Sequence, residues 1–276
     1  DNNSTINQIR FISEVYRQTK DEKLKESVLK GIDFLLTMQY DTGGWPQVYP
    51  KRGESPEDSV YYSNFVTFND NAMINVLELF DDLRNEAYPF DQSLINDQYD
   101  EKLEMAVDKG IDYILKSQIE VDGKLTAWCA QHDPVTYEPQ HARAYEHPSI
   151  SGSESVGIVK FLISRPNQTP AIQRAINGAL QWFDEVKLEG IRYVSGDPNG
   201  VYFVEDQQAV TWYRFYEIGT NKPIFSGRDG VIKHTIQEIE QERRDGYSWG
   251  GSYAKQLLEI AKTTGYYEKH VFVEVL

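Results

Sequence analysis

The sequence predicts an all-α fold built from repeated helical hairpins. Three observations predict it. A motif of the form Lys-Gly-Ile-Asp-aromatic recurs, apolar residues around each copy fall at helical spacing, and strand signals are few and short. Residues 28–38 read VLKGIDFLLTM and residues 107–117 read VDKGIDYILKS, so Gly31 and Gly110 are in register, 79 residues apart (110 minus 31). A weaker third copy, AINGALQWF at 175–183, places Gly178 sixty-eight residues further on.

The elements follow in chain order. The opening stretch DNNSTINQIRFISEVYRQT is a polar cap followed by an amphipathic helix. In the first repeat Leu24, Val28, Ile32, Leu35 and Leu36 form one apolar stripe. The turn-rich loop DTGGWPQVYP follows, and then NDNAMINVLELFDDL, a helix whose Asn/Asp cluster can cap it. The second repeat continues through VDGKLTAWCAQHDP into SISGSESVGIVKFLIS, where Ser151 and Glu154 have the spacing of a capping box. The third passes through LEGIRYVSGDPNG, with short strand signals in IRYVSG and YFVED. Its helix is predicted over YSWGGSYAKQLLEIAKTTG, ending at Gly265.

Helical hairpins set around an axis give a toroid or incomplete α/α barrel, and periodicity alone also allows an α-solenoid. Three units are few for an open solenoid, and the long, distinctive loops favour the closed form. Loops at the same ends of the hairpins would bring three polar clusters together: Asp1-Asn2-Asn3, Asn69-Asp70-Asn71 and Ser149-Ile150-Ser151. Each cluster by itself reads as a helix cap.

Length suits one large domain or two small ones, with enough chain for a sizeable core. Lys plus Arg is 28 against 43 Asp plus Glu, a net charge of −15. That excludes nucleic acid as a partner unless positive charge is strongly clustered. No apolar run is long enough to span a membrane, and no signal peptide is read. The chain begins at Asp1 without Met, which reads as a processed or trimmed piece. Eighteen Tyr, twelve Phe and five Trp supply core packing and also suit a groove for sugar rings. Trp45 and Trp249 fit either role. The only cysteine, Cys129, precludes an intrachain disulfide and reads as a buried, inert thiol.

The stretches DNNSTINQIRF, GGWPQVYP, TFNDNAMINVL, QHDPVTYEPQHARAYEHPSISGSES, WYRFYEIGTNKPIFSGRDG and ERRDGYSWGG resemble the pectate lyases of the tenth polysaccharide lyase family. The resemblance runs over essentially the whole chain and implies a single catalytic domain over residues 1–276 with an (α/α)3 toroid fold. It also implies calcium-assisted β-elimination on polygalacturonate, by a monomer acting outside cells, where pectin is found. Asp1 and Asp70, in DN and NDN, are the implied calcium-contacting carboxylates, since calcium prefers oxygen ligands. Asn2 and Asn71 are implied to support that site by hydrogen bonding. The resemblance gives Arg228, in FSGRDG, the role of proton-abstracting base. Arg143 and Arg214 are implied to bind substrate carboxylates, for which a guanidinium offers two N–H donors. Lys222 joins this positive set, and His132 is expected to contact substrate. His132, His141 and His147 do not have the spacing of a helical zinc motif.

Other readings stand beside these. Asp70 as a helix N-cap and Arg228 in a salt bridge with Asp229 or a nearby loop carboxylate are the purely structural alternatives. A glycoside hydrolase pairing Asp70 with Asp133 or Glu154 is a second enzyme reading. A non-catalytic binder of acidic polysaccharide is a third. An arginine base must lose its proton to act, so the lyase reading predicts an alkaline activity optimum.

Overall fold

The computed structural model describes residues 3–55, 57–143, 145–197 and 200–266. Asp1 and Asn2 lie outside the described residues. The chain divides into two compact units, Asp1–Lys116 with His132–Glu138, and Ser117–Gln131 with Pro139–Leu276.

The first unit is built from α1 (Ser4–Thr19), α2 (Glu22–Met38), α3 (Ala72–Arg84) and α4 (Asp97–Ser117). Helix α1 buries Ile6, Ile9, Ser13 and Tyr16, one face at helical spacing. Asp21 starts α2 by accepting a hydrogen bond from the Lys23 amide at 2.9 Å. Helix α2 then buries Val28, Ile32, Leu35 and Met38. Helix α3 is buried on most sides through Met73, Ile74, Val76, Leu77, Leu79, Phe80 and Leu83. The second unit carries α5 (Glu154–Ile163), α6 (Pro170–Glu185), the short α7 (Gln241–Asp245) and α8 (Lys255–Thr263). Thr169 caps α6, and Pro170 occupies its first turn. Apart from one hairpin, the strands among the described residues are two residues long, so the all-α class holds.

The repeated glycine marks close packing. A β-carbon on Gly31 would stand 2.8 Å from Ile9 of α1, and one on Gly178 would stand 2.6 Å from Leu125. On Gly110 it would lie 2.6 Å from Leu77 and 3.2 Å from the Trp45 ring, both fully buried. At an exposed helical site Gly→Ala stabilises by about 1 kcal/mol. Here overpacking reverses the sign. Gly110→Ala is expected to destabilise by about 1–3 kcal/mol, read as a lowered denaturation midpoint with an unchanged denaturant slope.

Two expectations need correction. The strand signals IRYVSG and YFVED belong to a long antiparallel hairpin, Leu188–Tyr193 with Phe203–Tyr213, paired from Leu188↔Thr211 to Tyr193↔Phe203 with a register shift between Glu189 and Ile191. The last helix begins at Lys255, not at Tyr247, because Gly250 and Gly251 pair in a strand with Tyr213 and Trp212. A β-carbon at Gly250 would stand 2.9 Å from the Phe203 ring, so the strand needs glycine there.

Candidate active site

In the first unit the NDN motif forms a 3₁₀ turn rather than a cap. Asp70 and Asn71 both adopt left-handed backbone, φ 52° and 58°, and Asn3 does the same at φ 63°. Left-handed conformations at non-glycine residues cost energy and concentrate at functional sites. Asn71 occupies the N-cap position of α3 with no side-chain cap hydrogen bond. The exposed Asp70 carboxylate accepts from Asn69 Nδ2 at 3.0 Å. Asn75 Nδ2 donates to Asn3 Oδ1 at 2.5 Å and to the Asp70 carbonyl at 3.3 Å. One side chain thus ties together two of the three polar clusters singled out in the sequence, and its role is invisible there because it lies inside an ordinary helical run.

A hard carboxylate flanked by amide oxygens suits calcium in kind. No group of three or more His, Cys, Asp or Glu side chains placed to hold a metal occurs among the described residues. Asp70 therefore fits a site completed by oxygens from elsewhere, among which Asp1 lies outside the described residues.

His132 does not face solvent. It is fully buried, its ring is edge-on to Phe68 at 5.8 Å, and Nδ1 lies 2.8 Å from the Tyr137 carbonyl. In this position it supports its loop from within. Trp45 and Trp249 are likewise core residues at 1 % exposure. Cys129 is buried, and burial pushes its thiol pKa up, as expected of an inert thiol.

In the second unit the three sequence-selected arginines share one feature: each holds a glutamate. Arg143 donates from Nε and Nη2 to Glu146 at 2.9 and 2.5 Å. Arg214 donates from Nη2 to the buried Glu154 at 2.5 Å. Arg228 donates from Nε and Nη2 to Glu242 at 3.2 and 2.7 Å. The Arg143 and Arg228 pairs are forked, the geometry that suits a carboxylate.

Backbone construction sets these positions. The long hairpin delivers Arg214 directly after its second strand, where the Arg214 amide donates to the Trp249 carbonyl at 2.9 Å. Gly227 precedes Arg228 because a β-carbon there would meet the Glu240 carboxylate at 2.0 Å. That carboxylate accepts from the Arg228 amide at 3.2 and 3.3 Å. Gly230, at φ 67°, closes the loop in left-handed backbone. Asp229 does not pair with Arg228; its Oδ2 accepts from Lys233 at 3.1 Å. The capping box at α5 forms by half. Ser151 Oγ accepts from the Glu154 amide at 3.1 Å, while the Glu154 carboxylate turns to the Ser151 hydroxyl and Arg214.

Two tyrosines organise the arginines. Tyr145 lies under Arg143 at 5.0 Å, Arg228 at 5.2 Å and Arg243 at 4.1 Å from its ring centroid. Tyr247 lies under Arg214 at 5.0 Å and Arg243 at 4.7 Å. Its hydroxyl donates to Glu146 at 3.0 Å. Sequence reading missed Tyr145, Tyr247 and Arg243. Lys222 is exposed on the turn that links Glu217 to Lys222 through backbone hydrogen bonds.

Electrostatically Arg143 and Arg228 are held protonated. Hydrogen bonding to Glu146 raises the Arg143 pKa, and Glu242 does the same for Arg228. Burial is the largest single influence on Glu146 and opposes its ionisation, but the hydrogen bonds and charge of Arg143 and the Tyr247 hydrogen bond together outweigh it and the pKa falls. The Arg228–Glu242 pair is exposed, so solvent screening makes it easy to exchange for another carboxylate.

The partner carboxylates of the hydrolase reading are occupied structurally. Asp133 Oδ1 accepts from the Val135 and Thr136 amides, both at 2.8 Å, and Glu154 is bound to Arg214.

The pectic acid lyase family matches residues 1–258. A family 10 polysaccharide lyase from Cellvibrio cellulosa has a similar structure, with a TM-score of 0.90 and 41% identity over 96% of this chain and 80% of that one. An aspartate-to-alanine mutant of that lyase in complex with trigalacturonic acid gives 0.89 and 41% over 96% and 81%. No curated protein matches. Among the described residues no helix is long and apolar enough to cross a membrane. With the family matched over most of its length, the chain belongs to the pectic acid lyases and is a polysaccharide lyase.

Proposed function

We propose that the chain cleaves polygalacturonate by calcium-assisted β-elimination outside cells, as a monomer whose hairpins close into the (α/α)3 toroid. The observation that carries this reading is that Arg143, Arg214 and Arg228 each hold a glutamate carboxylate. A uronate carboxylate has the same chemistry, so a guanidinium that suits a glutamate suits the substrate.

Arg143, Arg214 and Lys222 bind substrate carboxylates, and the forked contacts orient the sugar. Arg228, in neutral form, takes the C5 proton. The C5–H electron pair becomes the C4–C5 double bond, and the bond from C4 to the glycosidic oxygen breaks. That oxygen leaves with its electron pair and is protonated by water. Asp70, with Asp1 and supported by Asn2 and Asn71, would hold calcium. Bound calcium supplies charge stabilisation to the substrate carboxylate beside C5 as negative charge develops there.

The arginine environment gives a sign for the pH dependence. Glu242 raises the Arg228 pKa, so the neutral form grows only as pH rises. Activity on polygalacturonate is expected to increase into the alkaline range; a profile peaking near pH 5 would remove arginine as the base. The direct test is ultraviolet absorbance during incubation with polygalacturonate, with calcium and then with a chelator. A rise lost on chelation is expected. New reducing ends without absorbance would restore the hydrolase reading, and neither signal would favour the non-catalytic binder.

A further inference from the structure

Arg243 is the arginine of the cluster that forms no ion pair with a glutamate among the described residues, although its charge helps to lower the Glu242 pKa. It is 4 % exposed, and its Nε and Nη2 have no hydrogen-bond partner. Among the described residues it makes no ion pair. A buried, unpaired guanidinium is costly, and such groups call for an explanation. Its contacts are aromatic: Tyr145 at 4.1 Å, Tyr247 at 4.7 Å and Trp249 at 5.3 Å. The Trp249 indole N–H donates to the Arg243 carbonyl at 2.9 Å and anchors the residue in place.

We infer that Arg243 is a positioning residue for the elimination, packed on the same Tyr145 ring as the proton-accepting arginine and keeping a fixed positive charge near it. This rests on the lyase reading above. It does not depend on which neighbour is the base, because Arg143 and Arg228 share the Tyr145 ring with Arg243. Distances of 5.0 and 5.2 Å from the ring centroid, with 4.1 Å for Arg243, keep each guanidinium within about 9 Å of Arg243. At that separation, with an effective dielectric of about 20, a like charge lowers a neighbour's pKa by about one unit.

Other charges face the same place. Glu146 pairs with Arg143, Glu154 with Arg214 and Glu242 with Arg228. Glu240 lies against the Arg228 amide, and Asp229 is taken by Lys233. On the Arg243 helix, Asp245 accepts from the Tyr202 hydroxyl and Arg244 lies over the Tyr202 ring. Glu146 raises the pKa of Arg143, and Glu242 raises that of Arg228. Substrate carboxylates on these arginines would act likewise. Arg243 is the nearby charge of opposite effect that stays put, so it favours release of the proton that a base must lose before it acts.

The test is the pH dependence of kcat/KM on polygalacturonate in wild type, Arg243→Gln and Arg243→Lys. Arg243→Gln should move the midpoint of the rising limb up by about one unit, a roughly tenfold loss of activity below it. Arg243→Lys should keep the wild-type midpoint. An unmoved midpoint in Arg243→Gln, or equal shifts in both variants, would overturn the inference in favour of packing. Should Arg243→Gln not fold by circular dichroism, Arg243→Met decides, because it keeps the apolar stem against Tyr145 and Tyr247 and removes only the charge. Its midpoint should rise as well, and a midpoint equal to that of wild type would overturn the inference. Wild type without unsaturated product would sink the lyase reading as well, whereas an active enzyme with unmoved midpoints sinks only the role of Arg243.

Discussion

Arg228→Ala is expected to lower kcat on polygalacturonate by about a thousandfold, within the range a positioned general base contributes, while KM changes little. The reasoning is geometric. Arg228 is exposed, its fork is satisfied by the equally exposed Glu242, and its loop is fixed by Glu240 on the backbone amide. Losing the side chain removes the proton acceptor without disturbing a buried group. Arg143→Ala is the necessary comparison, because Arg143 sits on the same Tyr145 ring. If it only binds substrate carboxylates, its loss should appear mainly in KM. A larger kcat loss in Arg143→Ala than in Arg228→Ala would exchange the two roles. Added guanidine offers an independent check: it should restore part of the turnover of whichever variant lacks the base and leave the other unchanged.

The elements that carry the site were legible to different depths. The glycines at 31, 110 and 178 are visible because a helix surface that tolerates only hydrogen at a contact keeps glycine despite its helical cost. The NDN cluster is visible as polarity. Its left-handed backbone is not, since Asn and Asp at a helix start read equally as a cap. The second strand of the long hairpin, FVEDQQAVTWY, is legible only at its start, in YFVED; the polar run from Glu205 to Gln208 hides its continuation to Tyr213. That concealed how Arg214 is delivered. Partner choice was hidden for a related reason. Glu146 is three residues from Arg143, but Glu242 is fourteen from Arg228 and Glu154 is sixty from Arg214. Only the fold brings the distant pairs together. Arg243 lies in ERRDG, a charge run that reads as solvated surface; Tyr145, Tyr247 and Trp249 bury it through contacts from other parts of the chain.

Glu154→Ala is expected to be the most destabilising of the substitutions considered. Glu154 and Arg214 are both shielded, with side-chain exposures of 4% and 15%. Glu154 also accepts from the Ser151 hydroxyl at the start of α5. Truncation leaves the Arg214 guanidinium without this partner in a poorly solvated place, which costs about 3–5 kcal/mol for a broken buried pair. A chain of this size should lose about 6–15 °C in Tm. Glu154→Gln keeps the volume and an acceptor oxygen for Arg214, so its loss should be markedly smaller. The two variants also separate stability from binding. Arg214 reaches its position after the hairpin through a backbone bond to Trp249 and through Glu154. Removing only the second tether should raise KM for polygalacturonate with kcat less affected. A Glu154→Ala protein with unchanged Tm would mean that the pair is solvated in solution. One that lost stability but kept its KM would mean that the Trp249 bond alone holds Arg214 ready for substrate.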